Sequence, residues 1–505
     1  MGLGKLLEQR AKSDRDRIFL YYEGESWNYG EFFKRVKSLA SGLIDQGLKP
    51  GDRVALYLSA SPEFIECFYA VIYAGGVVIP INYRWKANEL YFALKDSGAR
   101  FLFFSAEKSL EIQKLDREKL CLDKLVIVKG KDQPGFMDYS RIFSEKSVSL
   151  QEDNDNQLAG IIYTSGTTGK PKGVMLSHRN YMANLSQITG VLDLQETDRF
   201  LGILPLFHVL GLMVLVLMPV YTGASLVLFS EFSPRKVLTA LRDYQVSVFA
   251  GVPTVYALLN NLPAEKFSSL PGLKYALCGG APLAPEILEQ FEKRYQVELL
   301  EGYGLSEATC ACTLNPPAGK RKPGSVGYAL PYQEILVKSE SGEDLGPGQI
   351  GELWISGENV MKGYFQDQAE TEAVLKDGWL KTGDLGYYDV QGYFYIKGRK
   401  KEMLIRGGEN IYPREIEEVL LSHPAVSEVA VIGVPDRVWG EEVMAVIVPR
   451  DNSGIKTALL EDFCHQHLAD YKCPKLWQII PEMPKSVTGE ILKQKLLEKY
   501  HSGKK

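Results

Sequence analysis

Short apolar runs alternate with amphipathic segments through most of the chain. The runs at 54–58 and 77–81 have the length of buried strands, whereas 62–73 repeats its apolar side chains at helical spacing and follows Ser61, a predicted N-cap. Another apolar run at 101–104 continues the alternation. Repeated strand–helix–strand order predicts mostly parallel sheets covered by helices, so the expected fold class is α/β.

From about residue 324 the pattern changes to short strands with frequent glycine, which predicts a small barrel-like subdomain. A charge-rich stretch at 397–402 then precedes a smaller α/β module. We therefore predict a large N-terminal domain over 1–400 and a C-terminal domain over 401–505. Before this boundary, strands are predicted at 158–162, 225–229, 246–249, 273–277, 335–337, 351–355 and 392–396, and helices at 234–243 and 253–259; beyond it, strands are predicted at 426–433 and 443–448, and helices from Pro413 and over 459–468.

Composition excludes several partners. With a net charge of −5 and no basic stretch interleaved with aromatic residues, the chain is not expected to bind nucleic acid. Its seven cysteines lack C-x-x-C spacing, which favours reduced thiols in the cytoplasm over disulfides or zinc. The hydrophobic region 201–229 is broken by Pro205, His208, Pro219 and Gly223, so it is interpreted as buried core and no integral membrane segment is expected.

The candidate chemistry begins in the stretch 163–174, which follows the predicted strand at 158–162. It combines glycines, hydroxyl residues and lysines, the residue types that bring backbone N–H groups, short donors and positive charge to a phosphate. A P-loop is excluded, because the spacing puts Thr164 where the first glycine is needed and Pro171 follows Lys170. A polyphosphate cradle and a flexible linker remain the two interpretations of this segment alone.

Several motifs in order resemble the adenylate-forming enzymes, the superfamily of acyl-CoA synthetases, peptide-synthetase adenylation domains and luciferases. The resemblance covers essentially the whole chain, and the segments 249–256, 321–327 and 360–364 look most like bacterial long-chain fatty acid CoA ligases. It implies that a carboxylate attacks Mg-ATP to give an acyl-adenylate and pyrophosphate, after which coenzyme A displaces AMP. The motifs that carry the resemblance are Thr164 to Gly173, Gly302 to Glu307, Trp379 to Asp384, Gly398 to Glu402, Arg406 to Pro413 and Pro484 to Gly489.

The resemblance assigns nucleotide roles to individual residues. Glu307 would bind Mg²⁺, Tyr303 would stack on adenine, Asp384 would accept both ribose hydroxyls and Arg399 would reach the same sugar. Taken singly, each has a structural interpretation as a turn, helix-start or core residue; their joint order favours the nucleotide site. The full predicted ATP site comprises Thr164, Ser165, Gly166, Thr167, Thr168, Gly169, Lys170, Lys172, Gly280, Ala281, Pro282, Gly302, Tyr303, Gly304, Ser306, Asp384, Ile396 and Arg399, with Thr164 also assigned a catalytic role.

The resemblance also implies an acyl pocket, a hinge and a coenzyme A tunnel. His208 would act as a catalytic gate between pocket and nucleotide, although a lone histidine in an apolar run is more often a core residue. Lys401 would be the hinge of a mobile C-terminal domain, and Gly407 and Gly408 would line the tunnel. Because no charged residue occurs in the pocket segments, a fatty or aryl monocarboxylate is favoured over an amino acid. The pocket residues are His208, Val209, Gly251, Val252, Pro253, Thr254, Cys278 and Gly279.

One position departs from the family pattern. Glu490 replaces the lysine that would bridge the carboxylate and the α-phosphate, which predicts a slow first half-reaction. Lys493 is three residues on and would compensate if a helix began at 490. The hypotheses are a fatty acyl-CoA synthetase, an aryl-CoA ligase, or an acyl- or nucleotide-binding protein impaired in adenylation; a homodimer is only the base-rate expectation for assembly.

Overall fold

The predicted α/β class is confirmed by the computed structural model of the chain. Helices cover mainly parallel sheets in the first three hundred residues, an antiparallel β subdomain follows, and a smaller α/β module ends the chain. The structure describes residues 2–132, 134–146, 154–164, 171–263, 269–270, 272–450, 455–485 and 491–501.

The larger of the two mainly parallel sheets has strands that are buried on both faces. Ser225–Leu228 and Val248–Gly251 are buried at every position, as expected for parallel strands between helical layers. The second of these strands was predicted at 246–249 and lies two residues later, because Val246 bonds back to the preceding helix. In spatial order the sheet contains Tyr328–Ala329, Thr313–Leu314, Leu299–Tyr303, Tyr275–Cys278, Val248–Gly251, Arg199–Gly202, Ser225–Leu228, Ile18–Tyr22 and Glu25–Asn28.

A second parallel sheet ends in an antiparallel hairpin. The strand Leu158–Thr164 pairs in parallel with its neighbour Val77–Pro80 and antiparallel with Lys172–Ser177. The hairpin therefore places Thr164 and Lys172 side by side at one end of these strands. In spatial order the strands are Met137–Asp138, Lys124–Val128, Phe101–Ser105, Arg53–Tyr57, Val77–Pro80, Leu158–Thr164 and Lys172–Ser177.

The helices begin where sequence signals predicted them. In Pro62–Tyr73 the Ser61 side chain accepts a hydrogen bond from the Phe64 N–H and proline occupies the first turn, which confirms the predicted cap. In the described ranges, the α-helices of at least five residues are Leu3–Ser13, Tyr29–Asp45, Pro62–Tyr73, Ala87–Ser97, Ser109–Gln113, His178–Thr189, Met218–Thr222, Pro234–Asp243, Pro253–Asn260, Pro285–Tyr295, Gln368–Val374, Pro413–Leu421, Thr457–His467 and Lys493–His501.

The hydrophobic region 201–229 is core, as predicted. It contains the short helix Val209–Gly211 and the π-helix Leu212–Leu217, in which every residue is buried. In the part of the chain that the structure describes, no helix has the length and apolar character needed to cross a membrane.

Separate apolar cores lie before and after residue 400. The antiparallel β subdomain has its own small core around Val337 and Leu353, whereas the cores of the last hundred residues are built from residues 404 onwards. The strands of the β subdomain are Gln333–Lys338, Gly351–Gly357, Leu375–Lys376, Trp379–Tyr388 and Phe394–Arg399. The C-terminal sheet contains Leu404–Arg406, Glu409–Ile411, Val426–Asp436, Gly440–Pro449 and Leu476–Ile479.

Candidate active site

A buried carboxylate links the β subdomain to the large parallel sheet. Asp384 and Arg399 are register partners on neighbouring antiparallel strands, and the Arg399 Nε lies 2.8 Å from the Asp384 Oδ1. From the parallel sheet, the Tyr303 hydroxyl donates to the Asp384 Oδ2 at 2.6 Å. Asp384 is only 3% exposed. Tyr303 and Asp384, which are 81 positions apart in the sequence, are thus in direct contact. The Asp384 carboxylate keeps lone pairs that can accept hydrogen bonds from further donors such as sugar hydroxyls.

Burial and charge act in opposite directions on this cluster. Burial raises the pKa of Asp384, while the guanidinium of Arg399 and the hydroxyl of Tyr303 oppose that rise. The carboxylate of Asp384 in turn raises the pKa of Arg399. Because Arg399 keeps its charge, the cluster is an ion pair held in place by a phenol.

Glu307 lies beside this cluster in the 3₁₀ turn Ser306–Ala308. The Tyr364 hydroxyl donates to the Glu307 Oε1 at 2.9 Å, and the Met361 N–H donates to the Glu307 carbonyl at 2.8 Å. Burial and then the Glu307 carboxylate raise the pKa of Tyr364, which keeps its proton on the phenol. The bonds from two residues of the segment 361–364 fix the turn that carries the carboxylate.

The Glu307 side chain fits a magnesium site of the kind that nucleotides share with proteins. Its Oε2 forms no hydrogen bond with the described protein residues, and a single carboxylate with phosphate oxygens and water suits Mg²⁺. Among the described residues, no group of three or more metal-ligating side chains forms a dedicated cage. An Mg²⁺ ion carried by a polyphosphate is therefore compatible with Glu307.

Thr164 and Lys172 flank the candidate phosphate loop. They are register partners in the hairpin of the second parallel sheet, in the pair nearest to that loop. The Lys172 Nζ lies 2.5 Å from the Glu370 Oε2 and 5.2 Å from the ring centre of Tyr364, so the hairpin and the Glu307 turn meet through Tyr364. The loop residues Ser165, Gly166, Thr167, Thr168, Gly169 and Lys170 lie outside the described residues.

The candidate adenine wall follows a parallel strand of the large sheet. Gly280, Ala281 and Pro282 come after Tyr275–Cys278, and Tyr303 ends the neighbouring strand Leu299–Tyr303. Both segments thus leave the sheet at its carboxyl edge, where ligands gather in open α/β sheets. The backbone of Gly280 has φ +83°, a conformation that favours glycine.

Glu301 is a polar residue at this edge that the sequence interpretation missed. It is 2% exposed, its Oε1 accepts a hydrogen bond from the Leu283 N–H at 3.3 Å, and its Oε2 has no partner among the described residues. Burial raises the pKa of Glu301 to about 7. The available signal was a glutamate within an apolar strand, and the bond to Leu283 holds the end of the candidate adenine wall.

The candidate acyl pocket lies at the carboxyl ends of neighbouring strands. Gly251 and Cys278 are register partners, and Val209, Pro253 and Cys278 are buried. A Cβ atom at Gly251 would lie 3.2 Å from the Tyr256 ring, so the glycine leaves the space in front of that ring open. Among the other predicted members, Gly279 follows Cys278, Val252 is partly buried and Thr254 is exposed.

His208, the predicted gate residue, caps the short helix Val209–Gly211. Its Nδ1 accepts a hydrogen bond from the Leu210 N–H at 3.3 Å. Burial alone lowers the pKa of His208 to about 4, with no charged side chain contributing to the change. The imidazole is consequently neutral at physiological pH, and its surroundings are apolar.

The predicted hinge lies between two anchored residues. In the turn Lys400–Glu402, the Lys400 Nζ lies 3.1 Å from the Glu352 Oε2, and the Glu402 Oε2 lies 3.1 Å from the Lys493 Nζ. The first ion pair ties the turn to the β subdomain, and the second ties it to the last helix. Lys401 stands between them.

Gly407 and Gly408 form the turn of a small hairpin in the C-terminal module. Their φ angles of +60° and +89° suit glycine, and the Gly407 N–H donates to the Trp439 carbonyl at 2.9 Å. A Cβ atom at Gly407 would lie 2.8 Å from the Trp439 ring. Substitution of Gly407 is therefore sterically and conformationally costly.

Lys493 was expected to substitute for the family lysine only if a helix began at 490, and the described residues 491 and 492 are not helical. The last helix begins at Lys493, and Ile491 forms an isolated antiparallel bridge with Lys485. Lys493 is also paired with two carboxylates, because its Nζ lies 2.8 Å from the Glu417 Oε1 in addition to the Glu402 contact. Glu490 itself lies outside the described residues.

Comparison with known proteins decides the family. Residues 7–365 match the AMP-binding enzyme family and residues 415–490 match the AMP-binding enzyme C-terminal domain. The chain belongs to the AMP-binding enzymes. The resemblance to the adenylate-forming superfamily is thereby confirmed, and the two matched segments lie on either side of the Lys400–Glu402 turn.

Relatives of this AMP-binding enzyme act on different acids. A long-chain-fatty-acid–CoA ligase of Bacillus subtilis is 35% identical, with 98% of this chain and 94% of that protein aligned. A feruloyl-CoA synthase of an Amycolatopsis species is also 35% identical over 99% of both chains. The alignments are essentially full length. These relatives therefore share the ligation of an acid to coenzyme A, but they differ in the acid that they use.

Solved structures of relatives include nucleotide complexes. ATP-bound MatB from Rhodopseudomonas palustris superposes with a TM-score of 0.92 at 31% identity, covering 99% of each chain. O-succinylbenzoate coenzyme A synthetase from Bacillus subtilis, in complex with ATP and magnesium ion, superposes with a TM-score of 0.86 at 30% identity, covering 97% of this chain and 98% of that chain.

Proposed function

We propose that this enzyme ligates a medium- or long-chain fatty acid to coenzyme A through an acyl-adenylate, releasing AMP and pyrophosphate. The observation that carries the choice of acid is the environment of His208. Burial alone lowers its pKa, and no charged side chain of the described residues faces it to pair a second charge on the substrate. An unpaired substrate charge would be costly to bury there, so an apolar acyl chain is favoured.

In the first half-reaction, a carboxylate oxygen of the acid forms a bond to the α-phosphorus of ATP as the bond to pyrophosphate breaks. This chemistry needs no protein nucleophile, so the residues act by positioning and by stabilising charge. Asp384 accepts the ribose hydroxyls, Tyr303 stacks on adenine, and the loop from Thr164 to Lys172 holds the leaving pyrophosphate. Mg²⁺, when bound by Glu307, neutralises phosphate charge.

In the second half-reaction, the thiol sulfur of coenzyme A forms a bond to the acyl carbon, and AMP leaves with the electron pair of the broken acyl–oxygen bond. We propose that Gly407 and Gly408 line the approach of the pantetheine chain. Gly408 has open space at its Cβ position, whereas Gly407 packs against the Trp439 ring, so the backbone is open to a thin ligand at Gly408.

We propose that the two half-reactions use different orientations of a domain 1–400 and a domain 401–505. Support comes from the apolar cores, which are separate on the two sides of the Lys400–Glu402 turn. It also comes from the two ion pairs that flank Lys401, since a backbone rotation between two anchored residues moves one domain against the other.

An aryl acid is the second candidate substrate, because the feruloyl-CoA synthase relative is as similar as the fatty acid ligase. The test is thioester formation by the full chain with ATP, Mg²⁺ and coenzyme A, using straight-chain acids of increasing length and benzoate- and cinnamate-type acids. Higher kcat/KM for the longer straight-chain acids supports the proposal. Highest kcat/KM for an aryl acid assigns the enzyme to the aryl class.

Glu490 is proposed to weaken the first half-reaction. A sign reversal beside the α-phosphate should cost at least as much as loss of one oxyanion donor, roughly a hundred- to a thousandfold in rate. Acid-dependent exchange between ATP and pyrophosphate measures this step alone. Faster exchange after Glu490→Lys supports the proposal. An unchanged or slower rate would show that position 490 does not limit the first half-reaction.

A further inference from the structure

We infer that Lys401, beyond serving as a hinge, supplies the positive charge at the α-phosphate and carboxylate during adenylation that Glu490 does not supply. This inference rests on the proposed function. It makes Lys401 a catalytic residue of the first half-reaction, in addition to any role of its backbone in domain rotation.

The starting observation is that neighbouring cations are already paired. Arg399 holds Asp384 at 2.8 Å, and Lys172 holds Glu370 at 2.5 Å. Lys400 likewise pairs with the carboxylate of Glu352 and Lys493 with those of Glu402 and Glu417 at the distances given above. Within this described cluster, Lys401 is the cation without a carboxylate partner at ion-pair distance.

The backbone on both sides of Lys401 is held in place. Lys400 is tied to the β subdomain and Glu402 to the last helix, while the Met403 N–H bonds back to the Arg399 carbonyl at 3.2 Å. The turn is therefore fixed on both sides of its central residue, Lys401. A lysine on a fixed turn loses less freedom when it binds an anion than one on a loose loop.

The surroundings of Lys401 are those of the candidate nucleotide site. Arg399 and Asp384 from the paired strands, Lys172 from the phosphate hairpin and the adjacent Glu402 all lie within electrostatic range of its ammonium group. Burial, followed by the charge of Arg399, lowers the pKa of Lys401. A cation beside other cations and without an ion-pair partner is stabilised by an incoming anion, here a polyphosphate and a carboxylate.

The alternative cation, Lys493, fits less well. Its side chain is only 16% exposed, and its ammonium group contacts Glu417 and Glu402. Moving it to a substrate would leave two partly buried carboxylates unpaired, which is costly. Lys401 could bind a substrate without breaking an ion pair.

The experiment separates the two half-reactions in the full-length enzyme. Adenylation is measured as acid-dependent ATP–pyrophosphate exchange without coenzyme A, and thioester formation is measured from a preformed acyl-adenylate with coenzyme A. Lys401→Gln removes the charge, Lys401→Arg retains it, and Lys397→Gln, on the strand that leads into the turn, is the control for loss of a nearby lysine. Removal of the charge should slow exchange roughly a hundredfold while thioester formation changes less than about threefold.

Two further results are expected. Lys401→Arg retains most of the exchange rate, and exchange by the wild type declines at high pH before that of the Lys401→Arg enzyme, since the lysine loses its proton first. Lys397→Gln leaves exchange near the wild-type rate.

The inference is overturned if Lys401→Gln exchanges at the wild-type rate, or if both half-reactions slow equally, as a purely mechanical hinge role predicts. An equal loss in Lys397→Gln also overturns it. In another outcome, the wild type shows no ATP–pyrophosphate exchange but converts a preformed acyl-adenylate to thioester, and the Glu490→Lys enzyme does exchange. That outcome refutes the role of Lys401 and leaves the proposed function standing. Absence of both reactions from the wild type and from the Glu490→Lys enzyme refutes the proposed function itself.

Discussion

Replacing His208 with glutamine should remove an acid-sensitive component of the protein's stability. Burial lowers the pKa of His208 from 6.5 to about 4. The unfolded chain therefore takes up a proton at a higher pH than the folded chain does. Stability from this residue is fully present above pH 6.5 and is lost as the pH falls toward 4.

The size of the effect follows from the two pKa values of His208, in the unfolded and in the folded chain. A difference of one between them is worth about 1.4 kcal/mol, so the complete loss below both pKa values is about 3 kcal/mol. At about pH 5, where the unfolded histidine is nearly all protonated and the folded one nearly all neutral, the loss is about 2 kcal/mol. A glutamine at this position has no proton to bind and shows none of this loss.

The assay is urea unfolding of the wild type and of His208→Gln at about pH 7.5 and about pH 5. The quantity compared is the change in unfolding free energy between the two pH values, so a constant packing cost of the substitution cancels. The exposed His467 provides the control variant His467→Gln. Equal acid sensitivity of wild type and His208→Gln would refute a neutral imidazole whose pKa is lowered by its apolar surroundings.

Further predictions concern the nucleotide and coenzyme A sites. Tyr364→Phe removes the 2.9 Å hydrogen bond to Glu307 and should raise the KM for Mg-ATP roughly tenfold, as measured by exchange kinetics at varied Mg-ATP. Asp384→Asn should weaken ATP binding roughly ten- to a hundredfold, measured by calorimetry, because a charged acceptor becomes neutral. Gly407→Ala should slow the reaction of acyl-adenylate with coenzyme A several-fold through contact with Trp439 and backbone strain, leaving exchange unchanged.

Each of these has an informative contrary result. An unchanged KM in Tyr364→Phe means that the phenol does not position the metal ligand. Unchanged ATP affinity in Asp384→Asn would show that Asp384 does not bind the ribose hydroxyls. Gly342→Ala is the control for replacing a glycine of positive φ, because Gly342 has φ +88° and an added Cβ there would meet no other atom within 4 Å. An equal effect of Gly342→Ala would show that Gly407 has no specific role in the reaction with coenzyme A.

Elements with local signals were predictable from the sequence. Pro62–Tyr73 and Pro234–Asp243 have the predicted bounds, because a proline in the first turn follows Ser61 and Ser233 respectively. The π-helix Leu212–Leu217 was not predicted, since a segment that is apolar at every position has no periodicity to detect. The strand Lys172–Ser177 was also missed, because its pairing is decided by a partner across the loop.

The candidate site was predictable in its motifs and not in its contacts. Asp384 and Tyr303 could be named from resemblance, yet the hydrogen bond that joins them depends on two sheets meeting. Tyr364 and Glu301 were missed because a tyrosine in a loop and a glutamate in a strand have no distinctive pattern. The pairing of Lys493 with two carboxylates likewise depends on tertiary packing.

The most direct test of the central claim follows an oxygen atom. The enzyme is given a fatty acid labelled with oxygen-18 in its carboxylate, together with ATP, Mg²⁺ and coenzyme A, and the AMP product is examined by mass spectrometry. Attack on the α-phosphorus predicts AMP carrying one oxygen-18 from the acid. Unlabelled AMP, or ADP in place of AMP, would contradict an acyl-adenylate intermediate.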